Sequence, residues 1–417
     1  MAKEHIVVVG GGHAGFQAVT TLRAAGFEGS ITLIDQDKYY PYQRPPLSKA
    51  FLTDALPPEK LQFRTPDFYS RKEISLRLGE VVVRVDALGH RLHLGSGETL
   101  SYDQLLLATG SHPRTLSVNG RSLEGVLELR NLSHAVDLAT RMQGMKRITI
   151  VGGGYVGLEV AAAAIKRGCH VMVVEREPRI LARVSSEPIS QYMQSIHEAN
   201  GVEFRLGEQV IAFVGSQKLE GVSLSSGEII PADVALIGVG VVACDQLARQ
   251  AGLTCHNGIV VDEFGRTSAP DIFAAGDVAL HPAMNGEMMR LECIQNANDQ
   301  SEAVVNAMLG ATDKPYRAIP YFWSDQFTSK LHSAGFLNPD SKGLIRGEPA
   351  RDSFSILHRD KGGSLCGIET VNAQRDCRAA ISLIRDCMAV DFDLAKNAQI
   401  PLSACVAIQT LSKVHIA

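Results

Sequence analysis

HIVVVGGGHAGFQA, residues 5–18, and RITIVGGGYVGLEV, residues 147–160, are two copies of one pattern set 142 residues apart. Each opens on a β-branched run, turns at glycines and passes into a helix-like stretch, expected at 16–25 and at 158–167. Gly26 and Gly168 stand where a helix C-cap is expected. A second apolar run follows each copy, 31–35 and 171–175, ending in Asp35 and Glu175. The unit is β-α-β. A chain that carries it twice is expected to be α/β, with two open, Rossmann-like sheets.

Gly10, Gly12 and Gly15 form a GxGxxG placed after a strand and at a helix start. The first glycine permits the tight turn, the second lets backbone approach a pyrophosphate, and the third allows close packing of helix and strand. The phosphates then meet the helix N-terminus, and Asp35 accepts from ribose hydroxyls. Gly152, Gly154, Gly157 and Glu175 repeat the arrangement, so two dinucleotides are implied. Glu175 would hydrogen-bond a ribose 2′-hydroxyl and repel a 2′-phosphate, which favours NADH over NADPH, although Arg176 follows it directly. Glu159 holds the register of Gln17 in the first copy; with a pyrophosphate already at the helix end, a place near the reacting cofactor ring competes with a helix-dipole role.

Outward from the two copies, strand-like runs are expected at 81–85, 91–94 and 105–108 after the first, and at 201–213, 222–224 and 234–237 after the second. Ala275-Gly276-Asp277 ends another apolar strand and would face the crevice at the carboxyl ends of the sheet. Beyond about Pro315 the glycine-turn pattern stops; strands at 354–358 and 365–371 and a helix at 375–388 suggest a third, α+β domain. The expected division is 1–111 with 241–316 for one dinucleotide, 112–240 for the other and 317–417 for the C-terminal domain. A formal net charge of -4 without a Lys/Arg run argues against nucleic acid as a partner. No apolar stretch approaches the roughly 20 residues of a membrane span, and nothing near Met1 reads as an export signal, so a cytoplasmic protein is expected. The eight cysteines include no CxxC, and none precedes Cys169; they read as reduced thiols, with no metal site.

These residues resemble the FAD-dependent, NADH-linked ferredoxin reductases that serve bacterial oxygenases and P450 systems. The resemblance spans almost the whole chain. Its most specific pieces are PYQRPPLSK (41–49), LLLATGSHPR (105–114), GGGYVGLEVAA (152–162), TSAPDIFAAGDVALHP (267–282), QNANDQ (295–300) and FWSDQF (322–327). It implies a glutathione-reductase-like topology and an FAD site including Ala14, Asp35, Arg44, Lys49, Val82, Ala108, Thr109, Gly110, Arg130, Gly276, Asp277 and Ile294. Asp277 would bind the ribitol and pyrophosphate region and Lys49 would lie beside the isoalloxazine. On the NAD side it implies Val156, Glu159 near the nicotinamide, and Glu175 with Arg183 near the adenosine ribose. Gly238 and Gly240 would line the region between the rings, and Trp323 the flavin edge. Two departures stand out: 238–244 reads GVGVVAC where the family commonly has Pro-Asn, and Gln43 stands where an acid is frequent.

A nicotinamide gives up two electrons as a hydride, an iron-sulfur cluster takes one at a time, and a flavin converts between them. The resemblance therefore implies NADH as donor and a small [2Fe-2S] ferredoxin as acceptor. A flavin disulfide reductase would need a cysteine pair near the flavin, which this chain lacks. An NADH oxidase or quinone reductase without a protein acceptor, and a flavin-bearing, apoptosis-factor-like binding protein, remain as alternatives.

Overall fold

Both βαβ copies fold as their glycines require. In the computed structural model, which describes residues 4–54, 56–338 and 343–407, strand His5–Val9 pairs in parallel with Ser30–Asp35, and Arg147–Val151 with His170–Glu175. Contacts divide the chain into two units, residues 1–117, 127–143 and 237–318 in one, and residues 118–126, 144–236 and 319–417 in the other.

The first unit holds a sheet in the order Ile272–Ala274, Gln104–Leu107, His5–Val9, Ser30–Asp35, Ile74–Leu78, every pairing parallel. Its inner strands are apolar without alternation because both faces are covered. Ile6, Val8, Leu33 and Leu106 pack against Val19 and Leu22 of helix His13–Ala24 and Val304 and Val305 of helix Ile294–Met308. Val7, Val9, Ile34, Leu105 and Leu107 pack on the other side against Val82, Val85, Leu92 and Leu94. Packing on both faces thus fixes the strands whose carboxyl ends carry the glycine turn and Asp35.

The second unit repeats the parallel arrangement, with Val202–Leu206 beside His170–Glu175 and that strand beside Arg147–Val151. The run expected at 201–213 is two strands, Val202–Leu206 and Val210–Val214, separated where Gly207 takes φ +71°. A second, antiparallel sheet runs in the order Tyr321–Gln326, Ser329–Gly335, Leu365–Val371, Ser353–Arg359, Leu344–Glu348. Helix Gln374–Arg385 covers one of its faces through Ala380 and Ile384, which meet Leu357 and Ile368. The other face packs Leu331, Phe354, Ile356 and Val371 onto Leu158, Ile180, Ile189 and Met193. Arg346, 2 % exposed, ties the following segment down: it pairs with Asp376 at 2.8 Å and donates to the carbonyls of Ala395, Asn397 and Ile400. Among the described residues no helix is long and apolar enough to cross a membrane.

Helices His13–Ala24 and Tyr155–Lys166 both begin three residues earlier than the apolar pattern suggests, because the first turn lies inside the glycine motif itself. Gly12 and Gly154 are their N-caps, each with extended backbone. Glu159 consequently lies beyond the first turn, which removes the helix-dipole account of it.

Candidate functional site

Each glycine of the first motif answers to a different neighbour. Gly10 has φ +110°, and a side chain there would collide with the Ala108 carbonyl; one at Gly15 would collide with the Gly10 carbonyl. Gly12 differs: a Cβ there would meet nothing nearer than the Arg44 guanidinium, 3.7 Å away. The protein's own packing explains Gly10 and Gly15 but leaves Gly12 facing open space at a helix N-terminus, the place where an anion is held. Asp35 closes the turn by accepting from the N–H of Gly11 at 3.0 Å and of Asp37 at 3.2 Å. Burial raises its carboxyl above the ordinary aspartate range.

Across the crevice, Asp277 accepts from Ser111 Oγ at 2.9 Å and from Arg130 at 3.1 Å, and its carbonyl accepts from Arg290 at 3.0 Å. Gly276 takes φ +78° and lies against Ala14, with its N–H donating to Gln300 Oε1 at 2.8 Å. Gly110 lies against Arg130, and Thr109 Oγ1 donates to the Cys244 carbonyl. His13 is held neutral, its pKa lowered to about 4 by burial first and then by the Arg44 charge. The buried Nε atoms of Arg130 and Arg290 have no acceptor. Two guanidinium groups, a helix N-terminus, an open glycine and unpaired buried donors fit a diphosphate; Asp35 at the end of the second strand fits the ribose of an adenosine. The residues present therefore suit FAD.

The second motif reproduces this in detail. Gly152 also has φ +110°, and a Cβ at Gly157 would come within 2.5 Å of the Gly152 carbonyl oxygen. A Cβ at Gly154 would meet nothing within 4 Å. Glu175 accepts from the N–H of Gly153 at 2.6 Å and of Glu177 at 2.9 Å, as Asp35 does from Gly11 and Asp37. Val156, 46 % exposed on the first turn, offers the apolar surface an adenosine or nicotinamide would cover. Glu159, 5 % exposed, accepts from Ser324 Oγ at 2.5 Å. Tyr155 stacks on Phe322 at 4.1 Å and shares a hydrogen bond with Ser185.

The structure thus brings together Gly10, Gly12, Ala14, Gly15, Asp35, Arg44, Ala108, Thr109, Gly110, Arg130, Gly276 and Asp277 in the first unit, and Gly152, Gly154, Val156, Gly157, Glu159 and Glu175 in the second. The other expected residues are placed as follows. Val82 is buried in the core beside Val9 and Ile34, Lys49 ends the turn Pro45–Ser48, and Ile294 opens helix Ile294–Met308. Gly238 and Gly240 precede strand Val241–Ala243, which pairs with Ser111–Pro113 at the 238–244 departure. Arg183 lies exposed in a turn after the second motif, and Trp323 is half-buried on strand Tyr321–Gln326. Sequence reading missed His13, Ser111 and Arg290, and took from FWSDQF only its tryptophan.

Two family models match the chain, one after the other along the sequence. A family model described as pyridine nucleotide-disulphide oxidoreductase matches residues 4–301, and one described as reductase C-terminal matches residues 321–406. Rhodocoxin reductase of Rhodococcus erythropolis is 39 % identical over 404 residues, 96 % of this chain and 94 % of that protein. The crystal structure of a ferredoxin reductase for the CYP199A2 system from Rhodopseudomonas palustris superposes with a TM-score of 0.93 at 38 % identity, covering 97 % of this chain and 100 % of that one. The reductase in a covalent putidaredoxin reductase–putidaredoxin complex gives a TM-score of 0.92 at 34 % identity, covering 96 % of this chain and 98 % of that one.

Proposed function

The chain belongs to the pyridine nucleotide-disulphide oxidoreductase family, among its ferredoxin reductases, and from that premise we propose that it carries electrons from NADH through FAD to a [2Fe-2S] ferredoxin serving an oxygenase or P450. The observation that carries this reading is the duplicated turn, in which Gly12 and Gly154 face space that no protein atom of the turn uses. One turn takes FAD and the other NADH. FAD, when bound, would supply the conversion between a two-electron hydride donor and the one-electron acceptor.

The protein's own part is to bind and orient. Arg44, Arg130 and the N-terminus of helix His13–Ala24 neutralise the FAD diphosphate, while Asp35 and Asp277 accept from its hydroxyls. Glu175 accepts from the adenosine ribose of NADH, Val156 covers one edge of that ligand, and Glu159 stands beside the nicotinamide. Lys49 would lie beside the isoalloxazine, and a flavin-edge role for Trp323 stays what the family pattern implies. The same reading divides the chain into an FAD part (1–111, 241–316), an NAD part (112–240) that lends Arg130 to the FAD site, and a C-terminal part (317–417); the eight cysteines, none of them in a disulfide, favour a cytoplasmic setting. That none of the eight forms a disulfide, and that Cys244 has His112 rather than a second thiol beside it, supports an external acceptor over a dithiol.

The purified protein is expected to be yellow, to be bleached near-stoichiometrically by NADH without oxygen, and to reduce cytochrome c only when a ferredoxin is added. NADH consumption in air that no ferredoxin accelerates would instead identify an oxidase.

A further inference from the structure

Successive residues of a strand point to opposite faces of its sheet. In Tyr321–Gln326 the even positions share one face: Phe322 stacks on Tyr155, Ser324 reaches Glu159, and Gln326 reaches His197. The odd positions share the other, where Tyr321 bonds His332 at 2.8 Å and Trp323 sits across from His332 in the register. The strand that carries the expected flavin-edge tryptophan therefore turns its opposite side to the expected nicotinamide-side acid.

That side holds four polar groups in series. Ser324 Oγ is 2.5 Å from Glu159 Oε1, Gln326 Nε2 is 3.0 Å from Ser324 Oγ, and His197 Nε2 is 2.8 Å from Gln326 Oε1. Ser324 and His197 are 0 % exposed, Gln326 1 % and Glu159 5 %. The direction of every bond follows from one end. A carboxylate only accepts, so Ser324 donates its hydrogen to Glu159. Its oxygen then accepts from the Gln326 amide nitrogen, which turns the Gln326 carbonyl toward His197. His197 must therefore carry its hydrogen on Nε2. Burial keeps that ring neutral, with its pKa lowered to about 4, and the bare Nδ1 is the atom found without a partner.

We propose that Ser324, with Gln326 and His197 behind it, is a positioning residue that holds the Glu159 carboxylate in a single orientation for the nicotinamide end of NADH, a role that rests on the placement of Glu159 given above. Packing alone does not call for such a series, since apolar side chains of similar volume serve a core as well or better. A directed series of hydrogen bonds does what they cannot: it leaves one arrangement of donors and acceptors between Glu159 and His197.

The test uses the FAD-loaded protein and two readouts, NAD+ affinity by calorimetry and the anaerobic rate of flavin bleaching at saturating NADH. Ser324→Ala is expected to lower one or both by about tenfold, the worth of a hydrogen bond to a charged group, with melting temperature and FAD content little changed. Ser324→Thr, which keeps the hydroxyl, restores the values, and Gln326→Met, which neither donates nor accepts in the chain, reproduces part of the loss. In a Glu159→Gln background Ser324→Ala adds little, because both changes strike one device. Effects of Glu159→Gln and Ser324→Ala that multiply, or a Ser324→Ala protein that loses only melting temperature, would overturn the positioning role. A Glu159→Gln protein with unchanged affinity and bleaching would overturn the placement of Glu159 itself, and the proposal with it.

Discussion

At the scale of single residues, the two acids Asp35 and Glu175 serve two ends at once. Each carboxylate is already bound to two backbone N–H groups of its own turn and still has lone pairs for a ribose. Replacing Glu175 by Arg should therefore act twice. It removes the acceptor for the 2′-hydroxyl and supplies a cation for a 2′-phosphate, so the ratio of kcat/KM for NADH over NADPH should fall by about tenfold, or about 1.4 kcal/mol. It also strips the Gly153 N–H of its partner, so melting temperature should drop as well. An unchanged coenzyme ratio would show that this acid does not meet the ribose. These acids were legible in the sequence because each answers to backbone about 20 residues away inside one βαβ unit, and the glycines because their own spacing marks the turn. Ser324 and Gln326 were not, since their partners lie on distant helices; yet the alternation within FWSDQF already separates Trp323 from Ser324, and that inference was available from strand geometry alone.

At the scale of elements, the glycine-rich turns separate what the fold needs from what a ligand needs. Gly157→Ala would force a methyl to 2.5 Å from the Gly152 carbonyl oxygen, against backbone that has nowhere to move, and should yield little folded protein. Gly154→Ala meets nothing within 4 Å and gives up only a favourable N-cap, at most about 1 kcal/mol. Its melting temperature should stay close to the parent's while NAD+ affinity, measured by calorimetry, falls at least tenfold. Equal behaviour of the two variants would mean that no phosphate approaches Gly154. Strand positions were readable from continuous apolar runs, as at Val234–Ile237. Helix starts were not, because apolar periodicity registers only where a helix begins to bury side chains. That three-residue error at Tyr155 changed the reading of Glu159.

At the scale of the whole molecule, burial keeps five histidines, His5, His13, His197, His281 and His332, below their ordinary pKa. The unfolded chain therefore binds more protons than the folded one below about pH 6.5, so stability is full above that value and declines as pH falls toward 4. His197 alone, with its pKa lowered to about 4, contributes up to roughly 3 kcal/mol to that decline. Urea midpoints should fall between about pH 7.5 and pH 5, and a His197→Gln protein, whatever its starting stability, should show a shallower fall. Identical slopes would mean that His197 is protonated in the fold. The long-range pairs bear on a different matter, the order in which the chain is made. Ser324 follows Glu159 by 165 residues and Asp277 follows Arg130 by 147. A ribosome adding about 5–20 residues each second delivers those partners roughly 10–30 s late. Through that interval the newborn chain has its second glycine turn in hand but an acid without its hydroxyl and Leu158 and Ile189 without the sheet that covers them. Its exposure to misassembly is thus concentrated during synthesis, and slow passage through the codons between the second turn and the C-terminal sheet would lengthen it.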